Sequence, residues 1–231
     1  MAFGPMMTVT TKQGLELELA PFARDELRPF VEGFARGTVT QYFAEHRAQT
    51  LETEQAWYDK TIADKESIVW GIWGKDGEAR RLIGSTSLVN ITRKHVHTAT
   101  SGIIIVDKDY WGKGVASASH HARTWYAFEN LGLHCIKSAV VQGNIASLRA
   151  LQRCGYAHIY TERNDVFITM ASCTIPITLS ASTLLTGPGT SGGGVTNPHP
   201  STQQRASAAS PHWSGRESGW CCYSIRNALQ N

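Results

Sequence analysis

No run of apolar residues in this 231-residue chain approaches the roughly 18–20 needed to cross a bilayer as a helix. The opening, Met1-Ala-Phe-Gly-Pro-Met-Met7, has neither the basic nor the apolar stretch of a secretory signal. The five cysteines, Cys135, Cys154, Cys173, Cys221 and Cys222, show neither C-x-x-C spacing nor a paired secretory framework. Lys and Arg total 22 against 19 Asp and Glu, a formal charge of +3. That balance, without a Lys/Arg-rich run, is too mild to argue for nucleic acid. The expectation is a cytoplasmic protein with reduced thiols and no membrane or nucleic-acid partner. What the chain does have is 42% hydrophobic residues, enough for one globular core or two small ones.

The chain divides by texture into three parts. Residues 1–14 read as a flexible start. Residues 15–171 carry every periodic pattern. Leu15 to Leu19 alternates apolar and acidic, the period of a half-buried strand. A helical pattern follows through Leu27, Phe30, Val31 and Phe34, interrupted by Pro29. A second helix is expected over Glu52 to Asp64, with Thr50 or Thr53 as cap and Trp57 facing inward. Strands are expected at 68–74, 82–91 and 97–106, the first two joined by a turn at Lys75-Asp-Gly-Glu78. A long helix over 114–131 ends where Gly132 suits a left-handed cap. A strand at 136–142, a short helix capped by Asn144, and strands at 156–160 and 166–171 complete a mixed sheet. From residue 172 to 231 Ser, Thr, Gly and Pro dominate, a composition that buries too little apolar surface to order itself. This stretch is expected to be a disordered tail; Trp213, Trp220, Cys221, Cys222 and Tyr223 are its adhesive exceptions.

The chemistry centres on Gly102-Ile-Ile-Ile-Val-Asp-Lys-Asp-Tyr-Trp-Gly-Lys-Gly-Val-Ala-Ser117. A β-branched run ends in a polar turn, and two glycines, Gly112 and Gly114, lead into a helix. Strand, glycine loop and helix in that order aim unpaired first-turn amides at an anion, with the helix dipole in support. Glycine lets a phosphate approach the backbone closely. The reading is a diphosphate cradle formed by Trp111, Gly112, Lys113, Gly114, Val115, Ala116 and Ser117. It is not a Walker loop, since no Gly-Lys-Ser/Thr closes it, and it is not G-x-G-x-x-G. Thirty residues on comes Asn144-Ile-Ala-Ser147-Leu-Arg-Ala-Leu-Gln-Arg-Cys-Gly155-Tyr156.

Together the two stretches resemble the GNAT superfamily of acyl-CoA N-acyltransferases. Its pyrophosphate loop carries Q/R-x-x-G-x-G/A, and N-x-x-S/A opens a helix ending in Gly-Phe/Tyr. Gly114 and Ala116 match the small loop positions, while Trp111 stands in place of Gln or Arg. The WGKG form and Trp125-Tyr-Ala-Phe-Glu-Asn-Leu-Gly-Leu133 look most like the branch containing ribosomal-protein N-terminal acetyltransferases. The resemblance implies an α/β fold with a mixed, mostly antiparallel twisted sheet of six to seven strands and helices on both faces. Its central parallel pair splays apart. Acetyl-CoA is then the cosubstrate, with its pantetheine arm lying in the splay against the backbone of Ile104, Ile105 and Val106 and near Asn144 and Ser147. No metal is called for.

Acyl transfer from a thioester to an amine requires loss of an amine proton, a hydrogen bond to the carbonyl, and a proton for the departing thiolate. The resemblance assigns that last proton to Ser147, because the alternative tyrosine position is Leu151. The plain alternative is a helix-surface serine bonded to its own backbone. The base is open. Relatives often carry Ala-Glu before the strand glycine, and here Ala99-Thr100 stands there. His95 and His97 titrate in the right range, though strand alternation places them opposite Thr100. Asp25, Glu54, Asp59 and ordered water are the other candidates. Two functions remain: N-acetylation of a primary amine, either a protein N-terminus or a small molecule, and a non-catalytic acyl-CoA-binding module with a partner-binding tail. The sequence is compatible with a monomer or a homodimer.

Overall fold

The computed structural model describes residues 2–43, 49–76, 79–94, 96–161, 166–169, 172–174, 176–182 and 226–227. Its main sheet begins earlier than the sequence suggested. Met7–Thr10 (β1) pairs antiparallel with Glu16–Ala20 (β2), and Phe3 bridges to Val69. The reason lies in period two: Met7 and Val9 are fully buried while the threonines between them are half-buried. The expectation of a flexible start over 1–14 is therefore corrected.

The chain then makes a 3-10 turn at Arg24–Leu27 and two short helices, α1 (Arg28–Phe34) and α2 (Gly37–Thr40). Pro29 opens α1 rather than interrupting it, because its missing N–H falls where no intrahelical partner exists. Thr50 caps α3 (Leu51–Ala63), its hydroxyl accepting from the Thr53 amide at 3.3 Å. Next come β3 (Ile68–Asp76), β4 (Ala79–Thr92) and β5 (Thr98–Ile105), all antiparallel neighbours. The tip of the β3–β4 turn at residues 77–78 lies outside the described residues.

Helix α4 (Val115–Glu129) crosses to β6 (Cys135–Val141), and a crossover of that kind makes β5 and β6 parallel. They pair only over Thr98–Thr100 and Cys135–Lys137, then separate. At the fork the Ser138 hydroxyl donates to the Ser101 carbonyl at 3.3 Å. Helix α5 (Ile145–Arg153) and β7 (Ala157–Thr161) follow.

Beyond β7 the structure differs from expectation. Val166–Thr169 (β8) forms a separate hairpin with Ser172–Thr174 (β9) and does not join the main sheet. The main sheet is extended instead by β10 (Pro176–Ser182), which pairs antiparallel with both β6 and β7. The two-residue β11 (Arg226–Asn227) pairs with β1. Three strands thus fall within the stretch expected to be a tail. The remainder of that stretch, with its aromatic and cysteine cluster, lies outside the described residues. Among the described residues the main sheet has nine strands, in the order β11-β1-β2-β3-β4-β5-β6-β10-β7.

Helices cover both faces. Against α4 and α5 pack Leu17, Leu19, Trp70, Ile72, Ile83 and Ile136. Against α1 to α3 pack Phe22, Leu27, Phe30, Val69 and Trp73. Strand β5 and the residue after it serve both layers by alternation: Ile103 and Ile105 face the first core, Ile104 and Val106 the second. No described helix is long and apolar enough to cross a membrane.

Candidate active site

Because β5 and β6 are parallel, their C-terminal ends reach the same edge of the sheet, where the chain leaves β5 for α4 and β6 for α5. At the first exit Gly112 and Gly114 have φ of 73° and 79°, the left-handed region that glycine tolerates without strain. Gly114 is the N-cap of α4. The first intrahelical bond runs from the Ala118 amide to the Gly114 carbonyl at 3.0 Å, so the amides of Val115, Ala116 and Ser117 lack helical partners. The Val115 side chain itself is core. A cleft of about 260 Å³ opens over this turn, lined by Lys12, Gln13, Gly112, Gly114, Ser117 and Arg153. Gln13 donates to the Gly112 carbonyl at 3.3 Å. Two cations, three unpaired amides and two glycines with no Cβ in the way fit a diphosphate.

Lys12, Gln13 and Arg153 were missed from the sequence. They come from the β1–β2 turn and the end of α5, and no motif links them to the glycines. Lys113, counted with the cradle, sits with its ammonium 5.8 Å from the Tyr110 ring. Trp111 donates from its indole N–H to the Ile105 carbonyl at 2.9 Å. The indole therefore fixes the end of β5.

The edge of β5 can be read from its bonds. The Val106 amide donates to the Ile83 carbonyl at 2.9 Å, so Val106 faces β4 and not the fork, correcting its place among the pantetheine contacts. Backbone direction alternates along a strand. Ile104 shares the Val106 direction, whereas Ser101, Ile103 and Ile105 turn toward β6, as the bonds to the carbonyls of Ser101 and Ile105 require. The groups left facing the fork belong to Ile103 and Ile105.

At the second exit Asn144 Oδ1 accepts from the Ser147 amide at 3.2 Å, capping α5. Ser147 is half-buried, and its hydroxyl has no hydrogen-bond partner among the described residues. Tyr42, also absent from the sequence reading, donates from its hydroxyl to the Gly143 carbonyl at 3.0 Å. It ties the end of α2 to the loop that presents Asn144 and Ser147.

On the other face of β5, a cavity of about 320 Å³ lies between α1, α2, α3 and the sheet. Phe30, Phe34, Phe43, Trp57, Glu54 and Ile104 line it, with polar groups from Thr40, Gln49, Thr53 and Ser85. Trp57 is 40% exposed and stacks on Phe22 at 6.4 Å, so it walls the cavity instead of entering the core as expected.

The candidate bases separate cleanly. His97 sits before β5, its Nδ1 3.2 Å from the Gly132 carbonyl and its ring 5.0 Å from His134. From there to Ile104 the strand runs roughly 23 Å, which removes His97 from the cavity. His95 lies outside the described residues. Asp59 is held by Arg24 at 3.0 Å in an exposed pair, and Asp25 is exposed. Glu54 alone of the acids named lines the cavity, 8% exposed, and burial pushes its carboxyl above the usual range. Cys154 is buried with its thiol donating to the Ser117 carbonyl at 3.3 Å, and burial raises it to about 12. Among the described residues no group of three or more His, Cys, Asp or Glu is placed to hold a metal.

The family model for the acetyltransferase (GNAT) domain matches residues 16–157. The chain belongs to this family. It is a GNAT acetyltransferase. The probable N-acetyltransferase YjcK of Bacillus subtilis (strain 168) is 31% identical over 145 residues, 63% of this chain and 77% of that protein. Among solved structures, the fold resembles spermidine N-acetyltransferase from Vibrio cholerae in complex with CoA and spermine. That likeness has a TM-score of 0.64 at 23% identity, over 72% of this chain and 95% of that one. It also resembles Mycobacterium smegmatis RimJ in complex with CoA-disulfide, with a TM-score of 0.63 at 14% identity, over 77% and 86% of the two chains. At such identities the two structures speak for the GNAT fold alone.

Proposed function

We propose that the protein transfers the acetyl group of acetyl-CoA directly to a primary amine within a ternary complex. One observation carries this reading: the glycine-lined cleft stands over the loop that leaves β5 for α4, and the aromatic cavity lies against Ile104 near the end of the same strand. The diphosphate belongs on the amides of Val115 to Ser117, with Lys12 and Arg153 as counter-charges. The pantetheine amides pair with the backbone of Ile103 and Ile105. This brings the thioester to the fork, beside Ser147 and within reach of an amine entering past Ile104. The amine nitrogen attacks the carbonyl, the C–S bond breaks, and the Ser147 hydroxyl supplies the sulfur with a proton. That the V. cholerae structure holds CoA and spermine together supports an arrangement of two adjoining sites.

The WGKG loop favours a protein N-terminus as acceptor; the cavity volume favours a small amine. Thiol release from acetyl-CoA, followed against a panel of small amines and peptides with free N-termini, tests the reading. Amine-dependent release with stoichiometric amide product is expected. Binding of acetyl-CoA without turnover on any amine would refute it.

A further inference from the structure

Two properties of the acceptor-side cavity describe its occupant. Its walls are aromatic, built by Phe30, Phe34, Phe43 and Trp57, and aromatic faces attract an ammonium group. It also contains one carboxylate. Glu52 and Glu54 both stand in the first turn of α3, where the helix dipole favours acids. Glu52 is exposed and satisfies that preference in water. Glu54 is turned inward, 8% exposed, and burial is the sole cause acting on its carboxyl. Among the described residues no cation or hydrogen-bond donor meets it. A carboxylate crowded by apolar rings without a protein partner is disfavoured, and a cationic ligand in the cavity supplies what is missing. The volume of about 320 Å³ stands at the lower end of the roughly 300–1,000 Å³ of small-molecule sites. A polyamine would bring further charges that no described lining residue meets.

Resting on the acetyl-transfer reading above, we propose that Glu54 and the rings around it select a primary ammonium with a single positive charge on a compact apolar or aromatic stem, and that Glu54 takes the proton this nitrogen must lose. One N–H bond breaks as the carboxylate accepts the proton. The freed lone pair forms the C–N bond to the thioester carbonyl. The C–S bond then breaks, and the second nitrogen proton passes through the Ser147 hydroxyl to the sulfur. Glu54 returns its proton to solvent, so the balance is amide, thiol and one released proton. A carboxyl raised by burial is better matched to this task near neutral pH than an exposed one.

The test assays the full chain and Glu54→Gln by thiol release with 2-phenylethylamine, spermidine, a short peptide with a free α-amine, and aniline, which is uncharged at neutral pH. In the wild type 2-phenylethylamine is expected to give the highest kcat/KM among the three cationic amines. Glu54→Gln should lower that value by about 10²-fold or more and lower that for aniline far less, because aniline needs no counter-charge, enters as the free base, and loses its one proton through Ser147. Equal loss on aniline would mark Glu54 as a structural residue and overturn the proposal, as would no loss on 2-phenylethylamine. Preference of the wild type for spermidine or the peptide would overturn the substrate class. Absence of both acetyl-CoA binding by calorimetry and thiol release with every amine would instead overturn the transferase reading.

Discussion

Acid destabilises this protein through a buried histidine. His120 is 1% exposed beneath the sheet, and its Nδ1 stands 2.7 Å from Arg123 Nη2. A guanidinium only donates, so Nδ1 accepts and the ring is neutral. Arg123, fully buried, also donates to the Thr86 hydroxyl at 2.6 Å and the Gly102 carbonyl at 2.8 Å. Protonating His120 would set a second cation against this guanidinium, with His121 beside it and the Tyr156 ring 6.4 Å away. No carboxylate among the described residues pairs with either group. Burial first, then Arg123 and His121, hold His120 well below its usual value.

The sign follows from proton counting. Below about pH 6.5 the unfolded chain protonates this histidine and the folded chain does not, so the unfolded state binds more protons and stability falls with pH. The contribution is complete above the unfolded value and is lost as the pH drops toward the folded one. Between about pH 7 and about pH 5.5 the loss from His120 can reach at most about 1.2 kcal/mol, the limit set by the unfolded value, on a slope of up to about 1.4 kcal/mol per pH unit. His121, also lowered chiefly by burial, acts in the same direction. Urea unfolding of wild type and His120→Gln at the two pH values reads the difference, because glutamine keeps an acceptor for Arg123 and does not titrate. The variant should lose less stability across the interval, by an amount bounded by that limit. An identical loss in both proteins would refute the assignment.

Three further outcomes bear on the site. Gly114→Val places a β-branched residue at φ 79°, strained there, and should abolish acetyl-CoA binding in calorimetry while circular dichroism still reports a folded chain; unchanged affinity would remove the cradle. A chain ending at Ser182 should bind acetyl-CoA like the full chain, whereas one ending at Ala171 loses β10 from between β6 and β7 and should not; equal affinity in the two would show that β10 is dispensable. Ser147→Ala should lower kcat by about 10²-fold with acetyl-CoA affinity kept, while Asn144→Ala should raise KM and cost about 1 kcal/mol of stability through the lost cap. A pure KM effect for Ser147→Ala would move proton delivery elsewhere.

The crossover from β5 through α4 to β6 was legible because each part of it is local. The Ile103 to Val106 run, the glycines at 112 and 114, Gly132 at φ 63° and the Asn144 cap each depend on a few adjacent residues. Strand β10 was not legible for the opposite reason. Pro176-Ile-Thr-Leu-Ser-Ala-Ser182 does alternate, with Ile177, Leu179 and Ala181 in period two. Yet Pro, Thr and Ser fill its other positions, and the long stretch that follows is dominated by Ser, Thr, Gly and Pro. What makes it a strand is the pair of long-range partners, β6 and β7, on its two sides, and composition cannot report those.

The cofactor and acceptor halves of the site differ in the same way. Cradle and cap are backbone features, so glycine and asparagine announce them at fixed spacing. The acceptor half consists of side chains from α1, α2 and α3 converging on β5, with 50 positions separating Glu54 from Ile104 in the chain. Proximity in sequence therefore brought His97 forward beside Glu54, although only Glu54 lines the cavity. His97 is close to Thr100 along the chain, yet it lies at the end of β5 remote from the fork. Thr100 itself stands where the paired part of β5 and β6 ends. With no carboxylate on the strand at that position, the negative charge nearest the acceptor comes from a helix packed over the sheet. Its distance from the thioester is then set by how α3 seats on Phe22 and Phe30, so replacements that reseat α3 should alter acceptor turnover before they alter acetyl-CoA affinity.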